Sequence, residues 1–146
     1  VKSLIIKSKD NKIIYISKLH KGTTHDYEIL KQECLPTSDC FKDVTLNVEL
    51  GFQGIQNDYK TKGITIPHKR KRVKKGEKND LTPEQIAFNK QASAQRVDVE
   101  HSIGQMKVCR IIHQVVRIRD KNVLNDIVLT TAALANFKKL THWLSK

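Results

Sequence analysis

At 146 residues the chain is long enough to bury a core as one domain, 1–146, without disulfide staples. Its 27 Lys and Arg against 15 Asp and Glu give a formal charge of +12, which points to polyanions as partners. No apolar stretch approaches the roughly 18–20 residues of a membrane span, and no signal-peptide segment opens the sequence, so membrane and secreted classes are set aside. Cys34, Cys40 and Cys109 form no paired CxxC spacing and read as reduced thiols of a cytosolic protein.

The runs Lys2 to Ser8 and Lys12 to Lys18 are rich in β-branched residues. Lys9-Asp10-Asn11 between them tolerates turn geometry, so a hairpin is predicted. Gly22-Thr23-Thr24 breaks the pattern, and His25 to Cys34 has helical spacing with Thr24 as its cap and Pro36 as its stop. Val44 to Glu49 reads as a third strand with Val44, Leu46 and Val48 on one face, ending before Gly51. Ile64-Thr65-Ile66 is a fourth, stopped by Pro67.

A basic loop follows at 68–79, where charge repulsion and Gly76 argue against a packed element. Thr82-Pro83-Glu84-Gln85 carries a strong start signal: a threonine cap, proline in the first helical position and a glutamine that completes a capping box. That helix is expected to run to about Arg117, with a possible break near Arg96. A last helix runs from Leu124 to Trp143, with Leu124, Ile127, Leu134 and Phe137 as its core stripe. The order predicts an α/β domain whose mixed sheet is flanked by helices, the first two strands antiparallel.

Two places carry chemistry. Val48-Glu49-Leu50-Gly51-Phe52-Gln53-Gly54 sets a carboxylate at a strand tip beside two glycines that allow close backbone approach. On the long helix, Arg96, Glu100 and Lys107 share one sector at about 100° per residue, next to a more apolar strip of Val99, Ile103, Met106 and Cys109 or Arg110. Such a face suits a metal ion beside nucleic acid. Taken alone, it better suits an exposed Arg96 to Glu100 pair worth roughly 0.2–0.5 kcal/mol.

Read with Gly22-Thr23-Thr24-His25-Asp26, with Leu81-Thr82-Pro83-Glu84-Gln85, with Val97 to Lys107 and with the tail Asn125 to Asn136, these motifs stand in an order that resembles the DDE transposases. The resemblance is to the PIF/Harbinger-like and related bacterial insertion-sequence groups, and it covers nearly the whole chain. It implies an RNase H-like fold and cleavage and transfer of DNA strands in transposition. Two Mg²⁺ or Mn²⁺ ions held by acidic residues would activate the attacking oxygen and stabilise the leaving one.

Position by position, the family's second Asp corresponds to Glu49 and its Glu to Glu100. Its first Asp would lie on a strand before Val1. Asp26 matches a His-Asp pair and reads either as a further metal ligand or as an ordinary first-turn acid. Lys69, Arg70, Lys71, Arg72, Lys74 and Lys75, with Arg96, Lys107 and Arg110, are assigned to the DNA backbone. The 68–75 run also has the composition of a nuclear localisation signal.

Glu for Asp at position 49 adds a methylene where placement within about 0.5 Å matters. The expectation is therefore an RNase H-like piece incomplete at the N-terminus and inactive alone, with transposon ends and target DNA as partners. It would work as a homo-oligomer or beside a complementing N-terminal fragment, in a bacterial cytoplasm or a eukaryotic nucleus. The alternative is a non-catalytic nucleic-acid-binding protein, transposase-derived or unrelated.

Overall fold

In the computed structural model the described residues are 1–70, 81–112 and 118–144, and side chains are described up to residue 140. The basic residues Lys71, Arg72, Lys74 and Lys75 lie outside them, so the 68–79 loop is described only at His68, Lys69 and Arg70, all exposed. The chain forms two compact units, one of Val1–Thr24 with Asp98–Lys146, the other of His25–Val97.

The first unit holds strands β1 (Ile5–Lys7) and β2 (Ile13–Ile16), the antiparallel hairpin predicted. Its turn is closed by Asn11 N donating to Ser8 O at 3.1 Å, and Asn11 itself takes the left-handed conformation (φ 63°) that short polar side chains tolerate. Ile13, Met106, Ala132 and Ala135 make the buried centre, with Ile5, Ile16, Ile112 and Val128 packed around it.

The second unit holds α1 (Asp26–Glu33), β3 (Thr45–Asn47), α2 (Ile55–Asp58) and β4 (Gly63–Thr65). Its centre is Ile29, Leu30, Phe41, Ile55 and Tyr59, with the rings of Phe41 and Tyr59 edge to face at 5.5 Å. α3 (Pro83–Val108) carries its residues up to Val97 in this unit and those from Asp98 in the first, which also holds α4 (Lys121–Leu144).

Several expectations are corrected. The strands form two separate two-stranded sheets, β1-β2 and parallel β3-β4, in place of one mixed sheet. Three- and four-residue ladders pair only locally and rely on helices for support. α1 is capped by His25, not Thr24: extended backbone at His25 lets its Nδ1 accept from Tyr27 N at 3.3 Å. The helix expected to reach Arg117 ends at Val108, where the backbone tightens into a 3-10 turn at Arg110–Ile112, and it is unbroken at Arg96. The Thr82 box forms as expected, Thr82 N donating to Gln85 Oε1 at 3.1 Å and Gln85 N to Thr82 Oγ1 at 3.3 Å.

Cys34 and Cys40 are joined in a disulfide, not free thiols. The helix end and the turn after Pro36 bring their Cα atoms to 6.8 Å, within bridging reach. The stripe assigned to the core of α4 is also only partly right, since Leu124 is buried but Leu134 and Phe137 are 51% and 63% exposed. The inward face is instead Leu124, Val128, Thr131, Ala132 and Ala135, the last three of them small enough to bring the helix axis close to the hairpin. Leu134, with Ile111, Val123 and Ile127, lines an open apolar groove of about 300 Å³ in the first unit. No helix among the described residues is long and apolar enough to cross a membrane.

Candidate functional site

Parallel pairing of β3 with β4 runs one residue beyond the strand, Val48 N donating to Thr65 O at 3.0 Å, so Glu49 stands at the tip of β3. Its backbone is extended (φ −82°, ψ 168°), and its carbonyl accepts from Phe52 N at 3.0 Å to close a 3-10 turn, Leu50–Phe52. Because its side chain does not cap that turn and is 56% exposed, the carboxylate is presented outward. Gly54 follows with φ 96°, a left-handed conformation that any Cβ would strain, and it starts α2. Sequence reading placed both glycines correctly but missed α2, whose four residues give no periodic signal.

Asp26 joins the same turn. A Cβ built on Gly51 would sit 3.8 Å from Asp26 Oδ2, so the carboxylate of the first α1 residue lies directly against the backbone that follows Glu49. Its neighbour Tyr27 holds α1 in that register, with its ring edge to face with Phe52 at 6.3 Å and its hydroxyl hydrogen-bonded to Asp58. Lys31 completes the clamp, its Nζ 2.5 Å from Asp58 Oδ2 and 4.6 Å over the Tyr27 ring. Burial, then the Asp58 carboxylate, push the Tyr27 hydroxyl above its ordinary pKa, so it stays a donor. Lys31 first, then Tyr27, hold the Asp58 carboxyl below the usual carboxylate range. None of these three was singled out from sequence; Tyr27 fell within the helix expected over His25 to Cys34.

Arg96, assigned on sequence to the DNA backbone, lies within this unit against Glu49, its Nε 3.5 Å from Glu49 Oε1. Asp26, Glu49 and Arg96 are therefore brought together around one turn. Lys69 and Arg70 are exposed just beyond a planar amide clamp, in which Asn89 Oδ1 accepts from His68 N at 2.7 Å and Asn89 Nδ2 donates to His68 O at 3.0 Å.

Glu100, Lys107 and Arg110 belong to the first unit. All three are exposed, the first two on α3 and the last opening the 3-10 turn. Ser102 and Met106 are the residues α3 buries there. Ser102 Oγ donates to Asp98 O at 3.1 Å, and Lys139 donates both to Ser102 Oγ at 3.1 Å and to the Asn11 carbonyl. Burial, then Lys7, lower the Lys139 pKa.

The oxygen donors of Asp26, Glu49 and Glu100 fit a hard divalent cation in type. Their arrangement does not: among the described residues no three His, Cys, Asp or Glu side chains gather closely enough to hold a metal, and Glu49 already faces a guanidinium.

The chain is thus mixed α/β, with a strand-tip carboxylate over a Gly-Phe-Gln-Gly turn and a second acid against the same turn. The family described as DDE superfamily endonuclease matches residues 1–136, and the chain belongs to it. That membership supports a transposase-like nuclease class acting on DNA, in a superfamily that generally uses divalent metals. No curated protein and no solved structure matches the chain.

Proposed function

We propose that this chain is the nuclease region of a DDE transposase of RNase H-like design, in which Glu49, Glu100 and Asp26 stand at the positions of the family's acidic residues for Mg²⁺ or Mn²⁺. The observation that carries this reading is the placement of Asp26 and Glu49 on one glycine turn at the tip of β3, within a chain whose family match spans residues 1–136. The protein's part is to hold the carboxylates still. The Tyr27-Asp58-Lys31 clamp fixes α1 against the turn, and the Val48 to Thr65 hydrogen bond fixes the strand tip. Lys69 to Lys75, Lys107 and Arg110 would meet the phosphates by charge alone, without sequence readout.

Within these 146 residues the set is Glu, Glu and one Asp, the family's first Asp having no counterpart and Glu49 reaching one methylene further than an Asp. On this reading the 146 residues bind DNA through their cationic side chains. Calorimetric titration with Mn²⁺ tests the ligand set: Glu49→Gln, Glu100→Gln and Asp26→Asn should each weaken binding. Unchanged binding in Glu100→Gln would remove that residue from the site. The second reading, a nucleic-acid-binding protein without metal, is favoured by the Arg96 to Glu49 pair and the +12 charge. It predicts salt-sensitive duplex binding, lost on neutralising Lys69, Arg70, Lys71 and Arg72, with no Mn²⁺ uptake by any variant.

A further inference from the structure

A singly exposed apolar side chain needs no explanation, but Phe88 on α3 does not stand singly. Its ring meets the imidazole of His68 with centroids 5.2 Å apart and planes tilted by 59°, and both residues are exposed, Phe88 by 38%. An angled meeting, unlike a face-to-face stack, leaves ring surface of each partner uncovered. The pair is also held by the backbone. Asn89, next to Phe88, accepts from His68 N at 2.7 Å and donates to His68 O at 3.0 Å, which fixes the chain leaving β4 to α3 at the residue whose ring touches Phe88. Little ordering is left to be done when a flat partner arrives. Lys69 and Arg70 follow at once, both exposed, and all of these residues belong to the unit of His25–Val97. Glu84 is exposed one turn before Phe88 on α3, an acid that turns the charge of an anionic partner toward Lys69 and Arg70.

We propose that His68 and Phe88 form a stacking platform for an unpaired base of a DNA strand, whose phosphates are met by Lys69 and Arg70. A nucleotide carries a flat uncharged ring beside a charged phosphate, and this surface offers a counterpart to each. In a duplex the bases are stacked on one another, so the platform takes strands that are single or opened. It takes them with little regard to sequence, because every base has a π-face. This inference rests on the proposed contact of the basic loop with DNA and adds the form of DNA that the loop meets.

The test compares three probes at fixed salt: a single-stranded oligonucleotide, the blunt duplex of the same sequence, and a single strand of equal length whose bases are replaced by abasic sites. Phe88→Leu keeps an apolar anchor and removes the π-face; it should weaken single-strand binding by about five- to a hundredfold and leave duplex binding within about twofold. The unaltered protein should hold the abasic strand more weakly than the base-bearing one by a similar factor. Phe88→Trp should retain single-strand binding. Its emission should be quenched by the base-bearing strand and not by the abasic one, with Trp143, the chain's one tryptophan, giving the background in the unaltered protein.

Single-strand binding that is unchanged in Phe88→Leu, or equal for the abasic strand, overturns the platform and leaves the contact of the basic loop with phosphate standing. Binding of all three probes that survives Lys69→Gln with Arg70→Gln defeats that contact itself, and the platform with it. Should Phe88→Leu not fold, the unaltered protein still decides the matter. Its Phe88 ring resonances should shift on adding the base-bearing strand and not on adding the abasic one, and resonances that stay put overturn the proposal.

Discussion

The two units solve the same problem, attaching helices to a two-stranded sheet, by different means. The unit of His25–Val97 is held by bulk: Ile55 is fully buried and Ile29 nearly so, Phe41 and Tyr59 pack ring to ring, and the Tyr59 hydroxyl donates to the Cys34 carbonyl at 2.5 Å. The unit of Val1–Thr24 with Asp98–Lys146 buries smaller side chains, Ala132, Ala135, Ser17, Ser102 and Thr131, around Ile13 and Met106. It compensates with polar pins. Asn136 accepts from Ile13 N at 2.9 Å and donates to Ile13 O at 2.8 Å, Asn125 accepts from Leu19 N at 2.9 Å, and Ser17 Oγ accepts from Leu4 N at 2.8 Å. The first arrangement tolerates a lost hydrogen bond and punishes a lost methyl. The second does the reverse, because each pin satisfies backbone groups that would otherwise be stranded.

That contrast is open to direct attack. Ile55→Ala should be the most damaging change, costing about 2–5 kcal/mol through lost burial and the cavity left behind. Hydrogen exchange should rise throughout the amides of the His25–Val97 unit, and a loss below the Ile→Val range would show that bulk does not hold it. Asn136→Ala should cost about 1–3 kcal/mol by orphaning both backbone groups of Ile13, with exchange rising first at the hairpin. If a methyl deletion at Ala135 mattered more than Asn136→Ala, the pinned description would be wrong.

Gly54→Ala should cost about 1–2 kcal/mol, since L residues pay that much for left-handed backbone. Thermal denaturation reports that loss, and an unchanged melting temperature would show that the left-handed turn after Glu49 is not needed. The smallest expected effect is at Asp58. Its folded pKa lies below the unfolded value of about 3.9, so its contribution is present at neutral pH and fades as pH falls from there through the folded pKa. Asp58→Asn should therefore lower neutral-pH stability slightly and flatten the acid limb of the stability curve, while an unchanged acid limb would show the clamp to be idle.

Local features were legible in the sequence where one residue's chemistry decides them. The Thr82 capping box, the Asp-Asn hairpin turn, the glycines after Glu49 and the strand-tip position of that residue all follow from rules acting over three or four residues. What failed depended on partners far along the chain. Apolarity suggested that Leu134 and Phe137 face inward on α4, but the hairpin selects the small residues one step round the helix because Asn136 must reach a strand edge. The Cys34 to Cys40 bond depends on how the chain folds back over a sequence separation of 6, which spacing alone does not state. Arg96 was identified as a functional cation from its helix position, yet its approach to Glu49, 47 residues earlier in the sequence, could be seen only once both were placed.

Asn136 has one more consequence. An uncovered strand edge offers its N–H and C=O groups to any passing extended chain, which is how sheets grow between molecules. By answering both groups of Ile13 with a single carboxamide, α4 puts a stopper on the outer side of the hairpin. Replacing Asn136 with Asp would set an oxygen against the Ile13 carbonyl, lift the stopper and turn the hairpin into a seed for fibre growth.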